Sequence, residues 1–75
     1  MIVVNCALRQ DDIIGIVEGA EFEGKKPFKF NKKQGIQIHF DAVDVSDEQA
    51  AAKAVKAAIK ATEFGKALFF NVEAK

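Results

Sequence analysis

The stretch Gln10–Gly24, QDDIIGIVEGAEFEG, decides the fold, because its sequence is compatible with either a helix or a strand. As a helix, it would be capped by its two aspartates and would bury a face made up of Ile13, Ile14 and Val17. Most of its apolar residues are β-branched, however, and Gly15 and Gly19 would each cost up to about 1 kcal/mol inside a helix. As a strand, it places four apolar residues on one face: Ile14, Ile16, Ala20 and Phe22. We favour the strand, with the glycines at bends or bulges.

Three other segments share a single pattern, in which the even-numbered residues are apolar. Ile36–Ala42 is the clearest, since its odd positions are all polar: Gln37, His39 and Asp41. Ile2–Leu8 and Leu68–Val72 follow the same parity but also carry apolar residues on the odd side: Val3, Ala7 and Phe69. Strict alternation is typical of a strand with one buried face. We therefore predict three strands whose even residues, including Cys6, point into the core.

The alanine-rich segment after these strands predicts one long helix, from about Asp47 to Phe64. Ser46 is a natural N-cap, and Gln49 follows three residues later, as in a capping box. Asp47 and Glu48 add negative charge to the first turn, where the helix dipole favours it. At the other end, Gly65 is in the position of a left-handed cap.

These elements predict an α+β fold for residues 1–75, organised as a single small globular domain. Our first choice is an antiparallel β-meander, OB-like or β-grasp-like, with one long helix packed on one face. If Gln10–Gly24 is a helix instead, the order becomes β-α-β-β-α-β, and the alternative is a ferredoxin-like sandwich.

The composition argues against several kinds of chemistry. With one cysteine and one histidine, the chain has neither a disulfide nor a Cys/His zinc site, and its acids lack the spacing of a metal-binding loop. There is no phosphate-binding loop, no dinucleotide fingerprint and no nucleophile beside His39, so we predict no metal, no cofactor and no enzymatic activity. A single unpaired thiol favours the cytoplasm, and no apolar run approaches the ~20 residues of a membrane span.

The segment Gly24–Lys33, GKKPFKFNKK, carries five of the eleven basic residues and no acid, in a chain whose net charge is zero. Lysines neutralise phosphates and aromatic rings stack on unpaired bases, which is how single-strand binders hold their ligand. We therefore predict a single-stranded DNA or RNA site made of Lys25, Lys26, Phe28, Lys29, Phe30, Lys32 and Lys33. Phe28 and Phe30 are also both even-numbered, which would place them in the core with solvated lysines on either side, and that interpretation stays open.

The run Gly19–Phe28, GAEFEGKKPF, resembles the hairpin of small phage and plasmid single-stranded-DNA-binding proteins, in which a strand is followed by Gly-Lys-Pro and an aromatic residue. The resemblance covers about ten residues and includes one extra lysine. It implies a nucleic-acid-binding hairpin, often in a dimeric protein with an OB-like barrel of five strands. The chain differs from that group in its long alanine-rich helix and its lack of tyrosine.

The alternative function is a protein-interaction or regulatory accessory module. One helix cannot cover both faces of a sheet, so the outward face is a candidate interface. The residues that we assign to it are Asn5, His39, Phe69 and Asn71. Homodimerisation through that face or through an edge strand is the form that we expect, because zero net charge favours self-association.

Overall fold

A computed structural model describes all 75 residues, Met1–Lys75. The chain forms seven elements: β1 (Ile2–Asn5), α1 (Gln10–Gly19), β2 (Phe28–Gln34), β3 (Gln37–Ala42), α2 (Glu48–Lys60), α3 (Glu63–Ala67) and β4 (Asn71–Ala74). The predicted α+β class is confirmed, with four antiparallel strands and three helices.

The sheet has the strand order β2-β3-β1-β4, so β1 lies in the centre and the strands β2 and β4 form the edges. β1 pairs with β3 through Ile2 opposite Phe40, and with β4 through Ile2 opposite Ala74. Only β2 and β3 are joined by a hairpin. This arrangement differs from the predicted meander, in which successive strands would be neighbours.

The prediction of a strand at residues 10–24 is wrong, because Gln10–Gly19 forms helix α1. Ile13 and Val17, which are four residues apart and therefore on one helix face, are both fully buried. Gly15 is exposed, and apart from its neighbours and the backbone of its own helix no atom lies within 4 Å of the place where a Cβ would stand. The helix thus bears only the intrinsic cost of its glycines, and the burial of Ile13 and Val17 offsets it.

The single long helix of the prediction is two helices, α2 and α3, separated at Ala61 and Thr62. Thr62 ends the first and caps the second: its hydroxyl donates to Ile59 O (2.6 Å) and accepts from Gly65 N (3.0 Å). Gly65 therefore lies inside α3, and the left-handed cap predicted for it is wrong. The N-cap of α2 is Asp47, not Ser46, and its carboxylate accepts from the backbone N–H of Gln49 and of Ala50.

The core lies between the sheet and the helices, and even-numbered strand residues fill it as predicted. The buried set comprises Ile2, Val4, Cys6, Phe28, Ile38 and Phe40 from the strand side and Ile13, Val17, Ala51, Ala52, Val55 and Ile59 from the helices. The parity fails at the strand ends. Leu8 and Ile36 are 66% and 55% exposed, because both lie outside the strands, Leu8 in the bend before α1 and Ile36 in the turn between β2 and β3.

Candidate functional site

The lysine-rich segment begins at a tight turn that precedes β2. Phe22 and Lys25 exchange two backbone hydrogen bonds, of 2.7 and 3.2 Å, around Glu23 and Gly24. Both central residues have positive φ, 56° and 75°, as in the type I′ turns that close two-residue hairpins. From the sequence, a hairpin turn is expected at Gly24–Pro27, but the turn lies two residues earlier, at Phe22–Lys25. The Lys25 ammonium donates to Asp44 O at 2.6 Å, which ties the turn to the loop after β3.

A β-bulge decides which lysines of β2 lie on which face of the sheet. Phe30 is opposite Phe40, but the next pair is Lys32 opposite His39, so Asn31 is the extra residue. Lys29 and Lys32 therefore lie on the face that carries no helix. Lys33, opposite Ile38, lies on the helix side, where its ammonium is 3.7 Å from an Asp11 carboxylate oxygen.

Most of the positive charge of this segment has no carboxylate partner. Of its five lysines only Lys33 forms an ion pair, and all five are exposed. Asp41 lies across from Lys29, but its two carboxylate oxygens accept from the Asn31 amide, each at 3.2 Å. The segment thus places five exposed lysines along one edge of the sheet, four of them without a carboxylate partner, and we call it the lysine edge: Lys25, Lys26, Lys29, Lys32 and Lys33.

The two phenylalanines of the segment have different environments. Phe28 is 1% exposed and its ring packs at 6.4 Å, centroid to centroid, from that of Phe22. It is a core residue and is not available to stack on a base, which corrects its assignment to the nucleic-acid site. Phe30 is 39% exposed and meets Phe40 edge-on at 6.2 Å, so part of its ring faces solvent beside the lysine edge.

The edge of β2 is partly occupied by a side chain of α1. Glu18 accepts a hydrogen bond from the backbone N–H of Phe30 at 3.1 Å. In an edge strand this N–H would otherwise be open to another strand. The contact places one carboxylate among the lysines and supplies a partner to a backbone group that the sheet leaves unpaired.

The helix-free face is polar and internally bonded rather than apolar. The Asn5 amide donates to Asn71 (2.6 Å) and to Glu73 (3.3 Å) across β1 and β4. Val3, at the centre, is fully buried although no helix covers it, so the surrounding side chains must close over it. His39 lies beside Val3, with Nδ1 3.4 Å from Met1 Sδ and with a buried Nε2 that has no hydrogen-bond partner.

Phe69 is separate from that polar network. It is 99% exposed and lies two residues before β4, between the half-buried Leu68 and Phe70. Of the four residues predicted for an interface, the structure therefore brings Asn5 and Asn71 into contact and leaves Phe69 as an isolated apolar side chain. The exposed Leu8 and Ile36 were not predicted, because parity alone could not show where strand pairing ends.

The structure contains no pocket and no group of three or more His, Cys, Asp or Glu side chains placed to hold a metal ion. None of the helices combines the length and the apolar character that crossing a bilayer requires. Comparison of the chain with protein-family models, with curated proteins and with solved structures gave no match.

Proposed function

We propose that this chain is a non-enzymatic binding module that holds single-stranded nucleic acid along the lysine edge. The observation that carries the proposal is that four of the five lysines lack an ion-pair partner, although the chain as a whole has as many acids as bases. Cations that no carboxylate neutralises are available to displace counterions from a phosphate backbone. Lys29 and Lys32 lie on the same face of the sheet and would contact the same nucleic-acid strand.

Phe30 supplies the aromatic component of the proposed site. Part of its ring is exposed at the edge of β2, on the helix side of the sheet and opposite the face that carries Lys29, and stacking of a base on such a ring does not depend on base identity. Sheets that read bases in order present several aromatic rings on their open face. Here the open-face residues of β1 and β3 are Val3, Asn5, Gln37, His39 and Asp41. We therefore propose binding that follows the backbone and tolerates different sequences.

We also propose that the domain follows the ferredoxin-like plan rather than an OB-like or β-grasp-like one. The order β1-α1-β2-β3-α2-β4, with α3 as an added short helix, and the sheet order β2-β3-β1-β4 support this assignment. The cytoplasm remains the proposed compartment, supported by the single free thiol of Cys6.

The second candidate is a protein-interaction module, and the full exposure of Phe69 favours it. Salt distinguishes the two. Contacts between lysines and phosphates weaken steeply as salt rises, whereas an apolar protein contact does not.

The test is a titration of fluorescent oligo-dT with the protein at several salt concentrations. If three or four lysines contact phosphates, log K against log salt should fall with a slope of about −2 to −3. The double variant Lys29→Gln/Lys32→Gln should bind more weakly and flatten the slope by about 1.4. Phe30→Leu, which keeps an apolar side chain against Phe40, should weaken binding without changing the slope.

The matched control is Lys53→Gln/Lys56→Gln, which removes the same charge from the exposed side of α2. Its affinity and slope should equal those of the unsubstituted protein. Absence of binding at low salt, or equal losses in the two double variants, would refute the proposed site.

A further inference from the structure

The outer edge of β4 carries backbone groups with no partner. Lys75 N donates to Met1 O and Met1 N donates to Lys75 O, both at 2.8 Å. The odd-numbered residues of β4 therefore direct their backbone N–H and C=O groups toward β1. In an antiparallel pair the alternate residues point the other way. Val72 and Ala74 therefore direct their N–H and C=O groups away from the sheet, and neither N–H donates to any other group in the structure.

The two edges of the sheet differ in charge and in whether their outward backbone N–H groups are hydrogen-bonded. β2 carries Lys29, Lys32 and Lys33, and its Phe30 N–H is bonded to Glu18. β4 has one acid, Glu73, followed by Lys75. Lysines on an edge strand oppose pairing with a further strand, and β4 has much less of this protection.

We propose that β4 pairs with β4 of a second copy of this chain, antiparallel about a twofold axis at Val72. The alternation of β4 allows pairing centred on residues 71, 72 or 73. Centring on Glu73 sets that carboxylate against its own copy, and centring on Asn71 sets it against the ring of Phe69. Like charges directly opposite each other are destabilising, as is a carboxylate facing an aromatic ring.

Centring on Val72 makes every opposed pair compatible. Asn71 faces Glu73 of the second copy and can donate to it, and Phe70 faces Ala74 on the helix side. Phe69 then faces Lys75 of the second copy, where the ammonium can lie over the ring. This pairing covers Phe69, which is 99% exposed in the single chain, and each contact occurs twice because the axis is twofold.

The buried area of two short strands is small, so the dimer should be weak and should exchange with monomer. The experiment is sedimentation equilibrium from low micromolar to millimolar protein, with amide exchange measured by NMR on the same samples. We expect a reversible monomer–dimer equilibrium. The amides of Val72 and Ala74 should become protected as the concentration rises, while the amides of β2 should not.

Charged substitutions at the exposed Phe69 test the position of the twofold axis without changing any core residue. Phe69→Lys sets two lysines opposite each other at both ends of the interface and should weaken the dimer about tenfold. Phe69→Lys/Lys75→Glu should restore it, and Phe69→Glu alone should keep the dimer, because Lys75 then faces an acid. With the axis at Asn71, Phe69→Lys would instead strengthen the dimer through Glu73. A monomer at every concentration, or a dimer that is unaffected or strengthened by Phe69→Lys, would overturn the proposal.

Discussion

Replacing Gly65 with alanine should destabilise the domain, although the same substitution stabilises most helices. Alanine is favoured over glycine by up to about 1 kcal/mol in a helix interior. At Gly65 the added Cβ would stand 1.8 Å from Ile59 O and 2.6 Å from Thr62 Oγ1. A normal contact needs at least 3.4 Å, so the junction between α2 and α3 must open by more than an ångström.

The expected loss of folding free energy depends on which atom the added Cβ would contact, here the backbone oxygen of Ile59. A backbone carbonyl cannot rotate away as a side chain can, so the cost should lie near the upper end of the roughly 1–3 kcal/mol typical of overpacking. The added Cβ also displaces Thr62 Oγ1, which lengthens the bond from Gly65 N to that hydroxyl, worth about 1 kcal/mol. After the propensity gain is subtracted, we expect a net loss of about 2–3 kcal/mol. The whole domain should have about 4–11 kcal/mol of stability, so the loss is a large share.

The assay is urea unfolding followed by far-UV circular dichroism, with Gly15→Ala as the control. A Cβ at Gly15 would have no atom within 4 Å beyond its neighbours and its own helix backbone, so that variant should gain about 0.5–1 kcal/mol. Thr62→Ala/Gly65→Ala should not recover stability, because the contact with Ile59 O remains. If Gly65→Ala matched or exceeded the stability of the original chain, the close approach at this junction would be refuted.

Two further predictions concern stability and use the same unfolding assay. Asp47→Ala should cost about 1 kcal/mol because Asp47 accepts from two orphan N–H groups of α2, whereas Ser46→Ala should change the free energy of unfolding by only a few tenths. Equal losses in these two variants would contradict the assignment of the cap. Phe28→Ala should cost about 3–5 kcal/mol because the ring is 1% exposed, and a loss below about 1 kcal/mol would show that the ring lies on the surface.

The strands at Ile36–Ala42 and near Ile2 were predictable because a period of two over several residues has one simple explanation. Val4, Ile38 and Phe40 are buried as the parity required. The body of α2 was predictable for a similar reason, since an alanine-rich segment with acids in its first turn has little competing structure. The antiparallel α+β class followed from these segments alone.

Helix α1 was the second choice rather than the first because local preference and tertiary packing disagree there. β-Branched residues and two glycines favour a strand by propensity, but burial of Ile13 and Val17 against the core decides the outcome. The spacing of four between those two residues was the available signal. The strand interpretation required Ile14 and Ile16 to point into the core, but both are only partly buried.

The candidate site was predicted by composition but not by geometry. Exposed lysines at Gly24–Lys33 follow from the charge of the segment. Plain alternation would place Lys33 on the face of Lys29 and Lys32 on the helix side; the bulge at Asn31 reverses these two positions, and no feature of the sequence marks a bulge at that residue. Likewise, parity places Phe28 and Phe30 on the same face of the edge strand β2, but Phe28 is packed against Phe22 and buried, whereas part of Phe30 stays exposed.

The hydrogen bond from Phe30 N–H to Glu18 has a consequence for how large an assembly of this chain can become. A sheet with two open edges can add subunits without end and grow into a fibre. Here one edge carries lysines and has its N–H group at Phe30 already engaged, so copies joined at β4 would present only lysine edges outward. Pairing would stop at two subunits, and the resulting eight-stranded sheet would be closed to further growth. Freeing that N–H and removing the charge around it would convert a terminating surface into a propagating one.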